Sequence, residues 1–99
     1  MDTVKEILKV INIMPEISRF LGIVIQMYFD GHNPPHFHAK YGKHKAQIEI
    51  KNFALINGYL PPKVLGLVIE WAELNRDSLL KNWETMQSCE TFVKVTPLV

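Results

Sequence analysis

The sequence predicts a single α+β domain, an antiparallel β-meander of about four strands with one long kinked helix, or two helices, packed on one face, plus a short N-terminal helix. Three observations carry this prediction. Apolar and polar side chains alternate with a period of two from about residue 23 to residue 51. The spacing then becomes helical, from Pro62 to about residue 87. Gly, Pro and Asn cluster between these runs, where turns are needed. Ninety-nine residues allow one core and no second lobe, so residues 1–99 are read as one domain, with a helical extension over residues 1–13.

At the N-terminus Val4, Ile7, Leu8 and Ile11 fall at helical spacing, Asp2 or Thr3 offers an N-cap, and Met14-Pro15 ends the run. The polar side of this helix over residues 3–13 is thin, which predicts docking onto the domain or self-association with a second copy. A weakly alternating strand, roughly residues 17–21, precedes Gly22. Ile23, Ile25, Met27 and Phe29 then alternate with Val24, Gln26, Tyr28 and Asp30. Phe37, Ala39 and Tyr41 alternate with His36, His38 and Lys40, and Ala46, Ile48 and Ile50 with Lys45, Gln47 and Glu49. Asn57-Gly58 reads as a turn, and Pro61-Pro62 suits the first turn of a helix, where a missing N–H costs little. Val64, Leu67, Val68, Trp71, Leu74, Leu79, Leu80, Trp83 and Met86 form the helical stripe, which Asn75-Arg76-Asp77-Ser78 kinks or splits. Gly66 inside it suggests a close approach to the sheet, and residues 91–95 a last short strand.

Composition excludes several classes of function. Apolar residues are 47%, charged residues 21% and the net charge is +1, so no global charge recruits a nucleic acid or an acidic partner. Cys89 stands alone, which rules out an internal disulfide and a four-thiolate zinc site, and it has no activating neighbours in sequence. No apolar run approaches the roughly 20 residues that cross a bilayer. Without a basic leader and apolar core after Met1, the chain reads as cytoplasmic, with no membrane association.

Three of the four histidines, His32, His36 and His38, lie around Pro34-Pro35, whose rings stiffen the turn. Gly42-Lys43 suits a two-residue hairpin, pairing Tyr41 with His44, Ala39 with Ala46 and Phe37 with Ile48. The opposite face then sets His36 against Glu49, His38 against Gln47 and Lys40 against Lys45. Pairing Asp30 with His36 across the proline loop adds Tyr28 beside His38 and Gln26 beside Lys40. A one-residue slip would bury the histidines and expose the phenylalanine, so this parity is strongly favoured. The helices cover the apolar face and leave the histidine face open.

Two chemistries fit that face. An imidazole between Asp30 and Glu49 has a raised pKa. Alternatively His32, His36 and His38 with Asp30 or Glu49 offer the donors that zinc or another first-row divalent metal prefers. Tyr28, Lys40, Lys45 and Gln47 are candidate ligand-binding residues, the lysine pair being suited to phosphate or nucleic acid if not simply screened by water. His44 reads as surface, Trp71 and Trp83 as core, and Glu70 and Glu73 as solvated or paired with the sheet edge.

The stretch Met14-Pro15-Glu16-Ile17, the element His32-Asn33-Pro34-Pro35-His36-Phe37-His38 and the downstream Glu70-Trp71 and Trp83 resemble a family of small bacterial proteins catalogued as domain of unknown function 4160. The resemblance spans roughly residues 14–97, which it implies are the family-like core, and it implies a fold but no activity. Its members are found beside another small protein in what resembles a toxin–antitoxin arrangement, which implies a small protein partner. The leading expectation is a non-catalytic interaction module of such a pair. The alternative is a metal-assisted hydrolase or RNase using His32, His36 and His38. There His36 would be the general acid or base, Glu49 its orienting group, and Lys40 and Lys45 a phosphate clamp. No complete catalytic signature decides between them.

Overall fold

In the computed structural model, residues 14–29, 31–88 and 91–99 are described. The expected N-terminal helix, Asp30 and Cys89 lie outside them. A single antiparallel sheet runs in the order β1 (Glu16–Phe20), β2 (Ile23–Gln26), β3 (His36–Tyr41), β4 (His44–Glu49), β5 (Leu55–Gly58). Two helices follow, α1 (Pro62–Leu74) and α2 (Arg76–Gln87).

The turns explain the meander. Leu21 and Gly22 have φ values of 50° and 78°, the two positive angles of a tight hairpin whose twist matches its strands. Gly42 supplies a φ of 57° at the first central position of the β3–β4 hairpin. The expected β3–β4 register holds at every pair, from Tyr41 with His44 to His36 with Glu49. The β2–β3 register differs: Gln26 pairs with His38 and Ile25 with Ala39. This is a shift of two residues, which keeps every side chain on its expected face. Beyond Gln26 the Met27 amide still donates to the Pro15 carbonyl on the β1 side, while the Tyr28 carbonyl accepts from the Gln87 side chain. The weak alternation of β1 also has a cause. Its register with β2 shifts between Glu16 and Ser18, so that Ile17 and Ser18 are both buried.

The sheet has five strands rather than four, because Leu55–Gly58 pairs with β4. Asn57-Gly58 is therefore the end of a strand and not a turn. Gly58 takes φ 85° there, and an added Cβ would collide with the Lys45 backbone. Residues 91–95 do not form the expected strand. The Asn82 side chain donates to the Val93 carbonyl at 2.7 Å and accepts from the Val93 N–H at 2.9 Å, taking both groups a ladder would need. One backbone bond, Val95 N–H to the Ile17 carbonyl at 2.7 Å, ties this tail to β1.

The core lies between the sheet and the helices. Phe37 packs edge-on against Trp71 with ring centroids 5.6 Å apart, and Phe20 meets Trp71 at 5.5 Å. The Trp71 indole N–H donates to the Thr96 carbonyl, so the largest buried side chain also has its polar atom satisfied. Asn75 separates the two helices and its amide side chain donates to the Trp71 carbonyl. Leu74, counted in the helical stripe, is 73% exposed at that break.

Gly66 corrects another expectation: it is exposed, and a Cβ there would meet nothing within 4 Å. No packing requirement offsets its helix-destabilising backbone freedom. Gly66→Ala should therefore raise the unfolding free energy by about 0.5–1 kcal/mol with an unchanged denaturant slope. Asn82→Ala, which strands both backbone groups of Val93, should lower it by about 2 kcal/mol. Urea titration of the two variants beside the wild type measures both.

Candidate functional site: a histidine-lined cleft

On β3 the burial alternates, with Phe37 and Ala39 fully inside and His36 and His38 half-buried on the other face. The imidazoles open into a cleft of about 390 Å³ lined by Tyr28, Gly31, His32, Asn33, Pro34, His36, His38, Gln47 and Ile56. Two further depressions of about 350 and 170 Å³ adjoin it, and His38 borders all three. Lys45 borders the second and third, and Lys40 the third. The expected ligand-binding residues Tyr28, Lys40, Lys45 and Gln47 thus line one continuous face.

Aromatic contacts order the centre of the cleft. Tyr28 meets His38 edge-on at 5.0 Å, and His36 lies 5.2 Å from His38 by ring centroids. Trp83 on α2 packs 5.3 Å from the other side of the His36 environment, so this core tryptophan also positions a cleft residue. The His36 Nδ1 lies 2.8 Å from the Pro34 carbonyl oxygen. A carbonyl only accepts, so Nδ1 carries the proton of that bond and Nε2 is left with the lone pair in the neutral ring.

The proline loop is held from α2. Gln87 accepts from the Gly31 N–H at 3.0 Å and donates to the Tyr28 carbonyl at 3.4 Å. Gly31 lies so close to the indole that a Cβ would stand 2.6 Å from Trp83 Cη2. The Asn33–Pro34 peptide is cis. Gly31, Gln87 and Ile56 were not singled out in the sequence. A polar residue ending an apolar helical stripe, such as Gln87, gives no sign that it reaches a loop 56 positions away.

Of the two carboxylates expected beside His36, Asp30 lies outside the described residues. Glu49 is the register partner of His36 but does not line the cleft. Among the described residues the ion pairs are Arg19–Glu16 and Lys94–Glu16, so Glu49 forms none with His36. The imidazole whose proton affinity is displaced is His38, and the direction is downward. Burial, and then the charge of neighbouring His36, push its pKa to about 4. Its Nε2 is buried and has no hydrogen-bond partner among the described residues. His32 is exposed on the cleft lip. Among the described residues no group of three or more His, Cys, Asp or Glu side chains converges, so the five-residue metal set is not assembled by those residues. Asp30, which belongs to that set, lies outside them.

His44, expected at the surface, is half-buried against Tyr59 at 5.4 Å. Tyr41, whose parity assigned it to the core face, is 36% exposed. Glu70 and Glu73 are exposed, as expected. No helix is long and apolar enough to cross a membrane among the described residues.

The family model described as Domain of unknown function (DUF4160) matches residues 22–84, which contain β2 to β5, α1, most of α2 and the whole proline–histidine element. Comparison with curated proteins and with solved structures gave no match.

Two outcomes are expected. Gly31→Ala should force the loop away from Trp83, lowering stability by about 1–3 kcal/mol and moving the His36 and His38 NMR resonances together. The second concerns pH in chelator-treated protein. The unfolded chain binds the His38 proton near the ordinary value of 6.5 and the native state only near 4. Stability should be insensitive to this group above about pH 6.5 and fall as pH drops from there towards 4. Urea titrations across that range should show the loss in the wild type and a smaller loss in His38→Gln.

Proposed function

The chain belongs to the family described as Domain of unknown function (DUF4160), and we propose that it is a non-catalytic interaction module. In this reading it is one member of a toxin–antitoxin-like pair, and its small protein partner docks along edge strand β5. One observation supports this reading above the others. All four residues of β5 are exposed, Leu55 by 43% and Ile56 by 44%, and Tyr59 just beyond by 56%. Edge strands of monomeric domains are usually blunted by charges, prolines or a covering segment. The opposite edge follows that rule: β1 carries Glu16 and Arg19 and is tied to the tail through Val95. β5, with the sequence Leu-Ile-Asn-Gly, carries neither a charge nor a proline. An exposed apolar edge of this kind suits strand addition by a partner, with main-chain bonds for affinity and side-chain contacts for specificity. Ile56 also lines the histidine cleft, so a bound partner would border it.

The test replaces Leu55 and Ile56 together with Lys. Tagged wild type should retain a stoichiometric small protein from host extract, and the folded double variant should lose it. Equal retention by both would contradict docking at β5. Self-association through residues 3–13 is the competing use of an apolar surface. It predicts a mass that rises with concentration in the intact chain and not in a chain starting at Met14.

A second reading, a small RNase, is favoured by one feature, the pair of adjacent imidazoles of which His38 stays neutral at physiological pH. The orienting group for His36 would be the Pro34 carbonyl in place of Glu49. His36→Ala and His38→Ala should each reduce RNA cleavage by at least 100-fold if this reading holds. Activity that survives both substitutions would remove it.

A further inference from the structure

We propose that His36 and His38 form a two-imidazole site for a first-row divalent cation such as Zn²⁺, with the remaining coordination positions open to water or an incoming donor. The inference concerns the cleft and does not depend on docking at β5.

Strand geometry brings the two donors together. Residues two apart on a strand project from the same face, so the His36-Phe37-His38 order sets both rings side by side and Phe37 in the core. Their centroids are 5.2 Å apart with planes at 53°. Two imidazoles bound to one tetrahedral zinc ion, at Zn–N distances of about 2.0–2.1 Å, place their centroids about 5 Å apart. The centroid separation of the rings is thus the one a shared ion requires.

The nitrogen chemistry agrees. The Nδ1–H of His36 is engaged by the Pro34 carbonyl, which fixes the tautomer with its lone pair on Nε2. Metal-bound histidines commonly hold their other ring nitrogen in this way, on a carbonyl or a carboxylate. The His38 Nε2 is buried without a partner among the described residues, although its ring borders the cleft. A buried polar atom left unpaired is costly, and coordination would satisfy it. The donor set also selects the class of ion. The described lining of the cleft supplies imidazoles and no carboxylate, which suits zinc or copper and not magnesium or calcium. Two protein donors make an open, exchangeable site, in keeping with the absence of any three-residue ligand group among the described residues.

Full-length chelator-treated protein would be titrated with zinc sulfate at pH 7.5 by calorimetry, beside His36→Gln, His38→Gln and His44→Gln. Uptake of one zinc ion per chain is expected in the wild type and in His44→Gln. At least a tenfold weakening is expected in each of the other two. Long-range ¹H–¹⁵N spectra of the wild type, which need no variant to fold, should show the Nε2 signals of His36 and His38 moving together as zinc is added. No uptake, equal uptake by all four proteins, or Nε2 signals that stay in place would each overturn the proposal.

Discussion

The fold and the cleft both depend on one constraint, the parity of the central strand β3. Its neighbours on both sides are antiparallel, so its backbone groups are committed to two ladders and its side chains cannot rotate between faces. Phe37 and Ala39 are thereby delivered to the core, where Phe37 meets Trp71. The same commitment delivers His36 and His38 to the cleft. Burying one pair and presenting the other are a single structural event. The two imidazoles therefore sit on the central strand of the sheet and not on a free loop.

The helices act on the cleft from the far side. α2 supplies the Trp83 ring that flanks His36 and the Gln87 amide that bonds the backbone of Tyr28 and Gly31. Gly31 permits that approach because no side chain intervenes between loop and indole. Core packing and cleft shape are thus coupled through one helix end. The two ends of the sheet differ in the same spirit. The tail and Asn82 satisfy and cover the β1 side, whereas β5 presents Leu55 and Ile56 outward.

Sequence patterning made β3 and β4 legible residue by residue. A two-residue turn with Gly42 admits one register, and the alternation of apolar residues on both strands agrees with it. The β2–β3 register was legible in parity but not in offset, because a long connection does not fix pairing. The Tyr28 carbonyl, just beyond β2, accepts from Gln87 on α2, a tertiary contact that pairing patterns do not reveal. β5 was missed because Asn57-Gly58 is a strong turn signal, and at this place the positive φ of Gly58 closes a strand against β4. The tail strand was overread because the sequence does not reveal that Asn82 takes the backbone groups of Val93. The neighbours of His38 were legible from strand parity, since Tyr28 and Gln47 stand beside it as that parity requires. For His36 the pairing also placed Glu49 opposite, but Glu49 does not line the cleft, and the Trp83 ring that flanks His36 comes from a helix that the pairing does not reveal.

The parity of β3 is open to direct measurement through aromatic nuclear Overhauser contacts in the isotopically labelled protein. Cross-peaks joining His38 to Tyr28 and Phe37 to Trp71, with none between His38 and Trp71, are the pattern this arrangement predicts. Cross-peaks between His38 and Trp71, with Phe37 beside Tyr28, would mean that β3 is turned over, and the cleft described above would not exist.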